Sequence, residues 1–212
     1  VLDVPVEGAN DVIGNRAYGK HPAIVTEMGR AAAAGLKAGG VLPVMKHIPG
    51  HGRAFADSHH NLPVVETSLE QLRAHDFPPF KALADELMAM SAHVVFTAID
   101  PENPATTSAK VIETIIRGEL GFDGLLMSDD SSMNALKGTL GERARAIANN
   151  GCDMVLHCNG NMDEMLAVRA EVKPLSSKAQ QRAQRVDAAF GHGDAANEAE
   201  IRAEFAQLLP SA

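Results

Sequence analysis

Val41-Leu42-Pro43-Val44-Met45-Lys46-His47-Ile48-Pro49-Gly50-His51-Gly52 decides how the chain is read. Val41 to Met45 has the length and apolar character of a buried strand, and Pro49, Gly50 and Gly52 stop regular structure directly after it. Lys46 and His47 are thereby set at that strand's C-terminal end. A few residues on, Asp57-Ser58-His59-His60 adds a carboxylate and two more imidazoles.

Working outward, further strand-like runs occur at Val1 to Val6, His93 to Ile99, Gly124 to Ser128 and Asp153 to Cys158. Helical patterns fill the gaps. Ala23 to Ala38 stops at Gly39-Gly40. Ser68 to Glu86 opens with the capping-box spacing Ser68-Leu69-Glu70-Gln71 and breaks at Pro78-Pro79. Ser108 to Leu120 ends at Gly121, and Gly141 to Asn150 at Gly151. This β-α alternation implies an α/β fold with a parallel sheet, either doubly wound or closed as a (β/α)8 TIM-type barrel. A complete barrel takes about 250 residues and eight strands. With five strand candidates here, a barrel reading places the N-terminal β/α units, roughly three of them, before Val1. Residues 1–212 read as a single barrel domain, the C-terminal portion of such a barrel, with 175–212 as C-terminal helices at Lys178 to Phe190 and Asn197 to Leu209.

Composition excludes several classes of partner. The formal net charge is −8, and no Lys/Arg cluster supplies the basic face that phosphate neutralisation needs, so no nucleic acid is expected. The apolar runs are strand-sized, so no membrane span is expected either. A small molecule is the better partner. Cys152 and Cys158 sit about 20 Å apart if they share one strand, too far for a disulfide. With no Cys-x-x-Cys pair there is no structural zinc signature, and two thiols fit a reducing compartment, the cytoplasm.

Chemistry concentrates at strand ends. Gly124-Leu125-Leu126-Met127-Ser128-Asp129-Asp130 is an apolar run ending in a hydroxyl and two carboxylates. Strand C-termini gather ligand sites in barrels and open α/β sheets, so Asp129 and Asp130 share an edge with Lys46 and His47. Side chains alternate along a strand, so at most one of the two faces the barrel axis. Asp130 is expected to cap a helix at Ser131 to Leu136. Asp57, two residues from His59, is placed to fix that imidazole's tautomer and stabilise its charged form. Arg16, just after the first strand, offers a fork of donors for hydroxyl or carboxyl oxygens and forms a substrate clamp with Lys46. The spacing His47-x-x-x-His51 imitates a helical zinc motif, but Pro49 and Gly50 keep the rings from lying one turn apart. No metal and no cofactor is therefore assigned, and a metal-dependent hydrolase stays as a minor alternative.

Taken together, Asn15-Arg16, Lys46-His47-x-Pro49-Gly50-His51-Gly52, Asp57-Ser58-His59, Leu62-Pro63 and Ser128-Asp129-Asp130-x-Ser132-Met133 resemble the family 3 glycoside hydrolases. Within them the likeness is to the bacterial β-N-acetylglucosaminidases of peptidoglycan recycling. The resemblance implies that Asp129 is the nucleophile, His59 the general acid/base and Asp57 its orienting partner, while Arg16, Lys46 and His47 hold the terminal sugar. It also implies a barrel that begins before Val1, with another Asp and Arg upstream. The implied reaction is retaining, exo-acting hydrolysis of non-reducing N-acetylglucosamine from muropeptide fragments through a glycosyl-aspartate, with a carbohydrate as the only partner.

Two alternatives accompany that reading. An imidazole base repels an anionic acceptor less than a carboxylate does, so a phosphorylase using the same Asp and His is one. An inactive barrel fragment is the other. Gly50 and Gly52 suggest a mobile loop that brings His59 in when substrate binds.

Overall fold

The apolar runs do form the sheet, displaced by a few residues from where their hydrophobicity peaks. The computed structural model describes residues 1–9, 13–54, 62–175, 177–191 and 193–208. The first strand, β1, is Met45–Ile48 rather than Val41 to Met45, because Pro43 has no N–H to give a ladder. The run His93 to Ile99 divides. The main-sheet strand, β3 (Met88–Ser91), precedes it, and within it only β4 (Val95–Phe96) is regular, pairing with β2 (Val64–Val65) in a separate two-stranded ladder. The remaining strands are β5 (Leu125–Asp130) and β6 (Met154–Leu156). Cys152 and Cys158 flank β6, the first buried and the second exposed, and neither is in a disulfide.

The main sheet runs β1-β3-β5-β6, every pair parallel. Strand order follows chain order with no reversal, which is the winding of a barrel and not of a doubly wound sheet. Val1 to Val6 adds a further extended segment beside β1, through Leu2 N–H to Lys46 O (2.7 Å) and Val6 N–H to Gly52 O (3.2 Å). The ladders slip between Lys46 and Ile48 and between Met127 and Asp130. Both irregularities lie at the C-terminal edge, where a bulge re-aims side chains.

Helices cover one face. α1 (Pro22–Ala38) has Pro at its first position, where the missing N–H costs nothing. It buries Val25, Gly29 and Ala33; a Cβ on Gly29 would meet the Leu2 side chain at 2.4 Å. Between β1 and β3 the chain forms α2 (Leu69–Gln71), a π-helical turn Leu72–Asp76 and α3 (Pro78–Ala82), so the break falls at Pro78-Pro79 as read from the sequence. The Ser68 hydroxyl caps α2, accepting from Gln71 N–H at 3.3 Å. Val111–Glu119 is π-helical and buries Val111, Ile112, Ile115 and Ile116 against the sheet. α4 (Leu140–Asn149) begins with a reciprocal capping box between Thr139 and Glu142. α5 (Met162–Glu171), α6 (Ser177–Ala189) and α7 (Glu198–Leu208) follow. The core joins Leu72, Phe77, Phe80, Phe96, Ile112, Ile116, Phe122, Leu126 and Ile147.

The expected helix over Ser131 to Leu136 is a series of turns. Asp130 accounts for that: its carboxylate accepts the Ser132 N–H (3.0 Å) and the Ser132 hydroxyl (2.6 Å), an aspartate turn that competes with helix.

Candidate active site

β1 and β5 deliver the chemistry to one edge. His47, at the slip in β1, is 5% exposed. Its Nδ1–H donates to Asp3 Oδ2 at 2.7 Å, which turns Nε2 towards Asp129 Oδ2, 3.9 Å away. Asp3 is fully buried and also accepts the main-chain N–H groups of His47 (3.2 Å) and His51 (2.7 Å). Burial by itself would raise the Asp3 pKa, but the charge and hydrogen bond of His47, with His51 beside it, hold it below the usual carboxylate range. His51 is pushed down by its own burial, against the opposing pull of Asp3. The His47 and His51 rings meet edge to face with centroids 5.6 Å apart. Among the described residues no three His, Cys, Asp or Glu side chains converge to hold a metal ion.

Asp129 and Asp130 separate as strand alternation requires. The Asp130 carboxylate is occupied by Ser132 and by the Cys158 N–H (3.2 Å). Its pKa is lowered: burial raises it, but the Ser132 hydroxyl, the Ser132 N–H and the Cys158 N–H prevail. Asp130 thus holds the turn after β5, although no helix is there to cap. Among the described residues the Asp129 carboxylate accepts the adjacent Asp130 N–H at Oδ1 (2.8 Å) and presents Oδ2 to the His47 side of the edge.

The glycines at the loop root are packed, while the segment expected to carry His59 in lies outside the described residues. Gly50 and Gly52 are both buried. A Cβ on Gly52 would lie 2.2 Å from Val4 O, and one on Gly50 (φ 141°) 3.2 Å from Asp76 Cβ. They are sites of close backbone approach. Arg53 Nε–H then fastens the loop to the buried Asp76 at 2.7 Å.

Lys46 is half-buried beside His47, and Arg16 is exposed at the end of the 3-10 turn Gly14–Arg16. After burial and Asp3, both cations act on the Val1 amine, so they share one neighbourhood. The structure therefore brings His47 and Asp129 together with Lys46 beside His47 on β1, and sets Arg16 near the Val1 amine. His59 and Asp57 lie outside the described residues.

Two participants were not singled out from the sequence. Asp3 sits in Leu2-Asp3-Val4, and His93 in Ala92-His93-Val94; the signal in each case is a titratable group inside an apolar run, where burial demands a partner. His93 is buried, with Nδ1 2.8 Å from Thr106 Oγ1 and Nε2 3.1 Å from the main-chain O of Asp130.

Known proteins share this fold. Residues 1–189 match the family described as the glycosyl hydrolase family 3 N terminal domain. A protein named beta-hexosaminidase from Idiomarina loihiensis is 38% identical over 189 residues, covering 88% of this chain and 56% of that protein. One of the same name from Alkalilimnicola ehrlichii is 44% identical over 163 residues, covering 75% and 46%. NagZ from Neisseria gonorrhoeae, solved with N-trifluoroacetyl-D-glucosamine, superposes with a TM-score of 0.77 at 33% identity, covering 91% of this chain and 55% of that one. The chain spans about half the length of the curated relatives it matches. A sequentially wound parallel sheet with Lys46, His47 and Asp129 at its C-terminal edge is thus placed among known folds, and the chain belongs to the glycosyl hydrolase family 3 N-terminal domain family.

Proposed function

We propose that this chain carries the nucleophile and the acid/base of a retaining exo-β-N-acetylglucosaminidase acting on peptidoglycan fragments in the cytoplasm, and that residues 1–212 belong to a single catalytic barrel domain. The observation that carries the reading is the contrast at the end of β5. The Asp130 carboxylate is consumed by Ser132 and Cys158, whereas Asp129 offers Oδ2 beside His47. Names borne by relatives, beta-hexosaminidase and NagZ, support the sugar class.

In this mechanism Asp129 Oδ2 attacks the anomeric carbon as the glycosidic bond breaks, forming a glycosyl ester. His59, as imidazolium, gives its proton to the departing oxygen, and Asp57 orients it. The neutral imidazole then takes a proton from water, whose oxygen replaces Asp129 at the anomeric carbon. Lys46, His47 and Arg16 hold the sugar hydroxyls. Asp3 keeps the His47 ring in place by binding its far nitrogen.

The test is turnover of 4-nitrophenyl N-acetyl-β-D-glucosaminide, with and without added phosphate to separate hydrolysis from phosphorolysis. Asp129→Asn should lower kcat by at least about 10³-fold, and a 2-fluoro glycoside should label Asp129 in the wild type. Near wild-type turnover by that variant sinks the covalent reading. His59→Asn should slow the 4-nitrophenyl substrate far more than a 2,4-dinitrophenyl one, which departs without needing a proton; equal losses on both would remove His59 as the acid.

A further inference from the structure

A row of buried polar groups lies behind β5 and takes no part in the reaction above. Ser91 closes β3, His93 follows it, and Thr106 lies in the 3-10 turn Ala105–Thr107; all three are buried. Ser91 Oγ is 2.8 Å from Thr106 Oγ1, Thr106 Oγ1 is 2.8 Å from His93 Nδ1, and His93 Nε2 is 3.1 Å from Asp130 O.

The acceptor at the end of the row sets the protons. A carbonyl oxygen only accepts, so His93 Nε2 carries a hydrogen. Burial keeps the ring below the ordinary histidine range, outweighing the pull of Asp129 and of Asp130. The ring is neutral, and Nδ1 is a lone pair. Thr106 has one hydroxyl proton and three acceptors in reach, Nδ1, Ser91 Oγ and Ala92 O, the last at 2.9 Å. Ala92 O already receives the Thr106 main-chain N–H at 3.2 Å. Nδ1 thus has the Thr106 hydroxyl oxygen as its neighbour at 2.8 Å, and that oxygen ties the ring to Ser91 Oγ and to Ala92 O.

We propose that His93 is a positioning residue for Asp129, acting through the main chain of Asp130. The Asp130 carbonyl is held by His93 Nε2–H and by the Met133 N–H (3.1 Å), and the Asp130 N–H holds Asp129 Oδ1 at 2.8 Å. Fixing that carbonyl restrains the φ and ψ of Asp130, and with them the direction of the N–H that orients the neighbouring carboxylate. Anchoring Oδ1 in this way leaves Oδ2 turned to the sugar side. The angle of attack is set from the loop of the adjacent strand. This rests on the reading that Asp129 is the nucleophile.

Two variants differ in reach. His93→Gln places an amide nitrogen near the position of Nε2, whereas His93→Asn stops near that of Nδ1. With 4-nitrophenyl N-acetyl-β-D-glucosaminide, His93→Asn should lose about 30-fold or more in kcat with KM within about 3-fold, and His93→Gln should recover to within about 3-fold of wild type. Labelling of Asp129 by the 2-fluoro glycoside should slow in parallel in His93→Asn. An active wild type with His93→Asn equal to it, or with both variants equally impaired, overturns the assignment. A wild type without turnover overturns the functional reading instead, and the tautomer then decides for His93. The ring nitrogen shifts of the folded wild type at pH 7 should show neutral Nε2–H; an Nδ1–H tautomer or an imidazolium refutes the positioning role.

Discussion

Asp3 organises more of the candidate site than any residue named from the sequence. One buried carboxylate gathers the His47 ring and the main-chain N–H groups of His47 and His51, so the loop root and the ring that faces Asp129 share a single anchor. Its folded pKa is depressed, so its contribution to stability is present above the unfolded value of about 3.9 and is lost as pH falls through the lower folded value. Asp3→Asn should lower stability by about 3 kcal/mol at pH 7. The gap between wild type and variant in urea unfolding should then narrow below about pH 4; a gap that stays constant down to pH 2 would show that the charge of Asp3 is unimportant. Strand alternation indicated that only one of Asp129 and Asp130 faces the site. The Ser132 hydroxyl, two residues on, decides which, and Ser132 is a small polar residue whose role depends on the turn it closes. His47, Lys46 and Asp129 were legible because strand-end placement follows from the apolar run before each of them. Asp3 and His93 were hidden because their partners lie 44 and 37 residues away.

At the scale of elements, helices with explicit punctuation were readable and strands less so. Ser68 with Gln71 marks a helix start that the structure reproduces, whereas the helix read from Gly141 starts at Leu140 behind a Thr139–Glu142 capping box that was not read. α5 carries no such amphipathic signal, since Met162, Met165 and Leu166 are exposed and only Val168 is buried. β1 begins later than its hydrophobicity suggests because of Pro43, and the run beginning at His93 leaves the main sheet because His93 turns inward to Asp130. β1 is also locked from outside by Gly52. Gly52→Ala would press a methyl on the Val4 carbonyl and should cost about 1–3 kcal/mol of overpacking, read as a lower urea midpoint; an unchanged midpoint would mean that the Val1 to Val6 segment yields freely. Thiol reactivity tests the packing around β6. Burial pushes Cys152 up to about 12, whereas Cys158 is exposed, though raised by burial, Asp130 and Asp129. A disulfide reagent at pH 8 should modify Cys158 alone in the folded protein and both cysteines in guanidinium; rapid modification of Cys152 in the native state contradicts the buried placement.

For the whole molecule, the family match to residue 189 coincides with a physical boundary. Arg182 on α6 pairs with Asp123 (2.6 Å) and with Asp153 (3.0 Å), and Arg117 reaches the same Asp153 at 2.8 Å. α6 is thereby fastened beneath β5 and β6, with Val186 buried. α7 buries no residue. Removing 191–212 should shift Tm by less than about 2 °C, whereas removing 175–212 should lower it by several times that; equal effects would place the boundary elsewhere. Among the described residues no helix is long and apolar enough to cross a membrane. Barrel winding was legible from β-α alternation only as one of two options, because alternation does not say in which order strands pair. That order also fixes a timetable. His47 and Asp129 stand two strands apart in the sheet, yet about eighty residues of translation separate them, roughly 4 to 16 s on a ribosome. Throughout that interval the nascent sheet ends on the bare edge of whichever strand has just emerged, so the same ordering that makes assembly simple leaves it exposed to chaperones and to neighbouring polysomes until the strand carrying Asp129 closes over β3.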